Sequence, residues 1–294
     1  MGMEKAINIA PVILIDRPSS RIGAFSVDKM PSSFCQLLYK HSLFQKTVLR
    51  SLVFQSPIIV CHESYHGLVQ KQLEEIQVKP RSIILETDRK GSAAAISLSA
   101  FYLKNQGEIM LVLPSDHVLD NSKFEACVYD ALDNIHDNMV IFGSKPSRGE
   151  NWYGYLSCDE KNEKLRKVES YVEKPDQAYL RALFDEEYMF WNTGIFLSRP
   201  RVYLDELKGF EPEIYKLCQR AFYAGQENGD VYEINTDDYA NILPMSVGYA
   251  VLEMSTAMYM YEMSVSWKDL GRWPKVVKLK VQSFFKKEKH RMQA

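Results

Sequence analysis

The chain is 294 residues long, enough for one large domain or two modest ones. Its 46% apolar and 25% charged residues are ordinary for a soluble globular protein, and a formal net charge of -2 gives no general attraction to nucleic acid. No stretch reaches the roughly 18 apolar residues needed to cross a bilayer, so no transmembrane segment is expected. The five cysteines, Cys35, Cys61, Cys127, Cys158 and Cys218, show no CxxC spacing and read as buried thiols rather than a zinc or redox site.

In chain order, MGMEKAINIAPVILID carries an apolar run without a signal-like cleavage segment; it reads as a first strand and points to a cytoplasmic setting. The segment that follows, LIDRPSSRIGAFSVDKMPSSF over 14–34, stands where a phosphate-gripping loop often stands. It lacks the glycines that let backbone amides close around a phosphate, which leaves open an active nucleotide site, an altered one, or a surface turn. Apolar runs at 10–15, 57–61, 109–113 and 139–142 predict strands. Between them, 92–104 predicts a helix with Ile96, Ala100 and Leu103 on one face. A second helix is expected from 122 to about 135, where Phe124, Cys127, Ala131 and Ile135 form one stripe. Strands separated by such helices predict an α/β fold: a doubly wound, mostly parallel sheet covered on both sides.

Ligands of such sheets sit beyond the carboxyl ends of the strands. In LVLPSDHVLD, Pro114 ends the strand and Asp116 falls in the loop at its carboxyl end. Asp116 is either a solvated loop acid or a hard oxygen ligand for a divalent cation; His117 beside it could join such a site, but a single histidine here reads as structural. From about Trp152 the texture changes to short aromatic segments, WYGYLS and YMFWNTGIFLS, while LRALFDEEY and GFEPEIYKLCQRAFYAG read as helical. Nucleotide chemistry is therefore placed in about 1–149 and a sugar or other substrate region in 150–274, two parts of one domain over 1–274 that share a sheet. The lysine-rich stretch 275–294 is expected to be a basic extension, a solvated terminal helix or strand rather than a membrane or RNA contact.

LPSDH, WYGYL, VEKPD, WNTGIFL, VGYAVLE and WKDLGRW, taken in order from about 9 to 273, carry a resemblance to the sugar-nucleotide pyrophosphorylases, a nucleotidyltransferase family with a Rossmann-like fold. Bacterial mannose-1-phosphate guanylyltransferases are the most similar branch. The resemblance implies transfer of a guanylyl group from GTP to mannose 1-phosphate, giving GDP-mannose and pyrophosphate, with Mg2+ as cofactor. It implies Asp116 and Asp269 as magnesium carboxylates, Glu173 and Asn192 as sugar contacts, Lys174 near the transferring phosphates and Gly154 at the sugar-pocket entrance. ETDRKGSAAAIS resembles the base-recognition segment, with Glu86 as its leading acid, Lys90 where arginine is usual, Gly91 for asparagine and Ser92 for threonine; a plain helix N-cap is the alternative for Ser92. Trp152 stands where glycine is frequent and either narrows the pocket or fills the core.

The loop departs from the family pattern. Asp16 and Arg17 replace paired glycines, Pro18 removes an amide donor, and Ser32 stands where a catalytic lysine is expected. Arg21 remains at its matching position as a phosphate partner, with Lys29 a candidate substitute for the lost lysine. Gly248 replaces a sugar-contacting aspartate. The alternative function is a catalytically impaired relative that binds nucleotide or sugar nucleotide in a regulatory or scaffolding role. A homo-oligomer or a partner enzyme remains open.

Overall fold

The computed structural model describes residues 7–15, 31–34, 36, 40–147, 149–159, 163–183 and 188–270. The loop residues Arg21 and Lys29, the Asp16–Ser20 replacement and the basic extension over 275–294 lie outside the described residues.

The chain opens with strand β1 (Ile9–Leu14), then α1 (Leu43–Ser51), β2 (Ile58–His62), α2 (His66–Glu75), β3 (Ser82–Glu86), α3 (Ser92–Leu103) and β4 (Ile109–Pro114). These strands are near-continuous apolar runs because both of their faces are covered. In β1, Ala10 and Val12 pack on one side and Ile9 and Ile13 on the other; Ile58 and Val60 of β2 alternate with Ile59 and Cys61 in the same way. Helix α1 starts at a capping box, with Ser42 Oγ accepting from the Gln45 amide and the Gln45 side chain accepting from the Ser42 amide. Gln77, at φ 55, closes α2 by letting the Val78 amide reach the Leu73 carbonyl. Helix α3 is buried on almost every side, so the single stripe read from Ile96, Ala100 and Leu103 understates its burial.

A short strand β5 (His117–Leu119) precedes α4 (Asn121–Asp130) and β6 (Met139–Ser144). The expected helix to about 135 tightens into a 3-10 turn over Ala131–Asn134. Then follow β7 (Tyr155–Cys158), β8 (Leu165–Val172), α5 (Gln177–Leu183), β9 (Met189–Ser198), α6 (Pro200–Phe210) and α7 (Pro212–Tyr223). Pro212, at the first turn of α7, splits the segment read as one helical piece into the end of α6 and the start of α7. The described chain closes with β10 (Gln226–Asn228), β11 (Val231–Glu233), α8 (Thr236–Ala240), a π-helical turn at Gly248–Leu252, β12 (Met258–Glu262) and β13 (Trp267–Asp269).

Eleven of the described strands form one sheet in the order β10-β11-β3-β2-β1-β4-β9-β6-β12-β8-β7. The fold is the expected α/β Rossmann-like architecture, with a mixed sheet: β3, β2, β1 and β4 run parallel, whereas β9 enters antiparallel between β4 and β6. Helices α3, α6 and α7 cover one face, and α1, α2 and α4 the other. Cys61, Cys127, Cys158 and Cys218 are buried free thiols, and burial pushes Cys158 and Cys218 up to about 12. Among the described residues, no helix is long and apolar enough to cross a membrane.

Candidate active site

A cavity of about 440 Å³ opens beyond the carboxyl ends of β1 and β4, where Leu14 and Pro114 form part of its wall. The expected metal residues Asp116 and Asp269 line it, as do Glu173, Lys174 and Asn192. Gly154 and Ser92 complete the group of expected residues on its wall. Trp152 is half-buried and also faces this cavity, so its bulk narrows the pocket instead of filling the core.

Backbone pairing joins the two acids. The short strands β5 and β13 run antiparallel and set Asp269 opposite His117, next to Asp116. The Leu270 amide adds a bond of 3.1 Å to the Asp116 carbonyl. Ligand atoms of Asp116, His117 and Asp269 lie within 4.8 Å of one another. Trp267 Nε1 lies 3.3 Å from His117 Nδ1 and can only donate, so the ring accepts at Nδ1 and carries its proton on Nε2. Nε2 faces Asp116 Oδ1 at 3.6 Å. His117 Nε2 thus lies beside the Asp116 carboxylate, and the hard oxygen donors of the group are the two aspartates. The chemistry of this donor pair fits a magnesium ion.

Elsewhere on the wall the polar head groups are tied together by side-chain bonds. Asn192 Oδ1 accepts from the Gly194 amide at 2.8 Å, and its Nδ2 donates to the Tyr171 hydroxyl at 3.0 Å. Tyr171 in turn donates to Glu173 Oε2. Glu173 Oε1 accepts from Lys174 Nζ at 2.8 Å and from Ser246 Oγ at 3.3 Å. Burial first, and then the Glu173 carboxylate, push the Tyr171 phenol well above the usual tyrosine range, so it remains a donor. Lys174 occupies the left-handed region at φ 49, an unusual state for a lysine, fixed in part by its amide donating to the Tyr153 carbonyl. Trp191 packs beneath this wall against Tyr153 and Trp267.

Two glycines make room for this network. A Cβ on Gly154 would overlap the Tyr171 hydroxyl, and one on Gly248 would overlap Glu173 Oε2. The carboxylate of Glu173 therefore fills the space that an aspartate at 248 would need.

The nucleotide-side residues divide. Glu86, at the end of β3, is buried, accepts from the Tyr239 hydroxyl and lines a neighbouring cavity of about 80 Å³ together with Arg89 and Ser92. Lys90 is turned elsewhere: its Nζ donates to the Ala240 carbonyl at 2.6 Å and lies 3.7 Å from Asp88. The Ala240 carbonyl and Asp88 are thus the partners of the Lys90 side chain. Ser92 is not the N-cap of α3; Gly91 is, at φ 88, and Ser92 Oγ accepts from the Val247 amide at 2.9 Å. The Met245 carbonyl accepts from the Ala93 amide, so segment 245–247 closes over the start of α3.

Ser32, in place of the expected lysine, is buried and donates to the Leu270 carbonyl at 3.3 Å. Tyr171 was missed by the sequence reading. Its signal is its place two residues before Glu173 on β8, partly masked by a bulge: Ser157 and Cys158 of β7 pair with Ser170 and Val168, leaving Glu169 as the extra residue.

Comparisons with known proteins give the family and the fold. A nucleotidyl transferase family model matches residues 20–283. The alginate biosynthesis protein AlgA of Pseudomonas putida is 35% identical over 273 residues, covering 90% of this chain and 56% of that protein. A mannose-1-phosphate guanylyltransferase of Klebsiella pneumoniae is 30% identical over 275 residues, covering 90% of this chain and 58% of that one. The chain thus spans little more than half the length of these curated relatives. Among solved structures, mannose-6-phosphate isomerase from Helicobacter pylori superposes with a TM-score of 0.78 at 25% identity, over 90% of this chain and all (100%) of the other. The mannose-1-phosphate geranyltransferase structure from Thermus thermophilus also gives 0.78, at 19% identity over 91% of this chain and 77% of the other, a likeness of fold.

Proposed function

Because this chain belongs to the nucleotidyl transferase family, we propose that it transfers a guanylyl group from GTP to mannose 1-phosphate, forming GDP-mannose and releasing pyrophosphate. The observation that carries this reading is the meeting of Asp116 and Asp269 with Glu173, Lys174 and Asn192 around one cavity.

Asp116 and Asp269 would hold Mg2+, which when bound offsets charge on the phosphate oxygens. Lys174 Nζ supplies positive charge on the same wall as the Glu173 carboxylate, and draws the sugar phosphate toward it. Glu173 and Asn192 hold the sugar hydroxyls, while Glu86 faces the nucleotide side. Arg21, with Lys29, is assigned to the triphosphate. A phosphate oxygen of the sugar phosphate then attacks the α-phosphorus; the new P–O bond forms as the bond to the bridging oxygen breaks and pyrophosphate leaves. Alignment suffices, and no protein nucleophile is needed.

The test is incubation of the purified protein with Mg2+ and a panel of nucleoside triphosphates and sugar 1-phosphates, scored by pyrophosphate and sugar-nucleotide formation. The expected result is product with GTP and mannose 1-phosphate. Product with a different pair would replace the substrates. A second reading, ligand binding without turnover in a regulatory or scaffolding role, is favoured by one observation: the buried Ser32 hydroxyl, bonded to Leu270, stands where the family resemblance expects a cation. Nucleotide binding with no product across the panel would establish it over the enzyme reading.

A further inference from the structure

The hydroxyl of Tyr171 is the feature of the cavity that the proposed reaction does not yet use. The ring lies in the apolar core, with a side-chain environment that a phenylalanine ring would fill equally well. Burying a hydroxyl there is costly unless it is satisfied, and this one is satisfied in a defined direction. Asn192 Oδ1 is committed to the Gly194 amide, so its Nδ2 must face Tyr171 and donate. The single phenolic proton is then directed to Glu173 Oε2. The arrangement depends on Gly154, which clears the hydroxyl, and on Gly248, which clears the carboxylate. Four positions from separate stretches of chain, on β8, on β9, just before β7 and in the π-helical turn, thus fit around two oxygen atoms.

The geometry points to Tyr171 as a positioning residue of the sugar subsite: its hydroxyl, aimed by Asn192, holds the Glu173 carboxylate in the socket left by Gly248, ready to accept from sugar hydroxyls. This inference rests on the reading of the cavity as a sugar-phosphate site. Tyr171 acts through Glu173. In its absence the carboxylate keeps Lys174 and Ser246 on Oε1 but loses the bond that fixes Oε2. The Asn192 amide also loses an acceptor. The consequence is a looser sugar subsite beside an intact nucleotide side.

The experiment is calorimetric titration of the full chain, in Mg2+, with mannose 1-phosphate, GDP-mannose and GTP as separate probes. Tyr171→Phe is expected to weaken mannose 1-phosphate by about tenfold, the usual consequence of leaving buried polar partners unsatisfied, with GTP affinity unchanged and the chain still cooperatively folded at the assay temperature. Gly248→Ala, which displaces the carboxylate while keeping every hydroxyl, should give the same selective loss. On a Glu173→Gln background, Tyr171→Phe should add little, because the two residues act as one unit. Unchanged mannose 1-phosphate and GDP-mannose affinity in Tyr171→Phe would overturn the inference alone. Equal losses for sugar and nucleotide probes would also overturn it, since they would mark a general packing role. If the unaltered protein binds GTP but neither sugar probe, the sugar-phosphate reading itself fails and takes this inference with it.

Discussion

The two walls of the cavity are built on different principles. Asp116 and Asp269 are brought together by the β5–β13 ladder and by the Leu270 amide on the Asp116 carbonyl, so main-chain bonds set their spacing. The main chain of Lys174 and Asn192 is also held by backbone bonds, to the Tyr153 and Gly154 carbonyls, but the Glu173 carboxylate and the Asn192 amide are aimed by a chain of side-chain bonds through Tyr171. A wall fixed by backbone keeps its shape when one side chain is altered, and loses only that side chain's chemistry. A wall fixed by side chains rearranges when a single hydroxyl or hydrogen is exchanged.

The largest effect should come from the backbone-held wall. Asp116→Asn or Asp269→Asn is expected to lower pyrophosphate release about 100-fold or more, as loss of a group stabilising developing charge does. Circular dichroism and melting temperature should be unchanged, because the ladder does not depend on either carboxylate. Collapse of the fold in either variant would break the contrast. Gly91→Ala should come next. At φ 88, with the Met245 carbonyl where a Cβ would go, it is expected to cost about 2 kcal/mol or more in denaturant unfolding. A neutral result would mean that segment 245–247 does not need its close approach to α3.

Lys174→Gly sharpens the contrast from the other wall. Glycine accepts the φ of 49 without strain but adds freedom to the unfolded chain, so stability should stay within about 1 kcal/mol. Mannose 1-phosphate binding should weaken, because the cationic head at the cavity is gone. The smallest effect concerns alkaline pH. Burial raises the phenols of Tyr171 and Tyr239 above their ordinary value of 10.0, so the folded state holds their protons where the unfolded state releases them. Their stabilisation is complete below pH 10.0 and is lost as pH rises above it. Tyr171→Phe should flatten that decline in urea-unfolding measurements.

The parallel half of the fold was legible because strands covered on both faces are written as apolar runs: 109–113 and 139–142 fall inside β4 and β6. Pro114 followed by Asp116 marked the carboxyl end of a strand and hence the cavity. The strand β3, with the equally apolar Ile83, Ile84 and Leu85, was passed over, flanked by Ser82 and Glu86 that are themselves buried. What lay beyond the sequence was register. Three-residue strands carry too little pattern to announce that Asp269 pairs with His117. The bulge at Glu169 likewise shifts the alternation that would have marked Tyr171 as facing inward with Val168. The family resemblance puts Lys90 where an arginine is usual, but its bond to a carbonyl at the end of α8 joins residues far apart in the chain, and no local pattern encodes that partner. The family resemblance supplied the identities of Glu173 and Asn192, but not the hydroxyl that joins them.

The most direct test of the central claim is the gain in GTP affinity produced by Mg2+, measured by calorimetry for the unaltered chain, Asp116→Asn, Asp269→Asn and the double variant. If the two aspartates form one cation site, each single change abolishes the gain and the double variant is no worse than either. A gain retained in full by both single variants, or losses that simply add, would contradict the account.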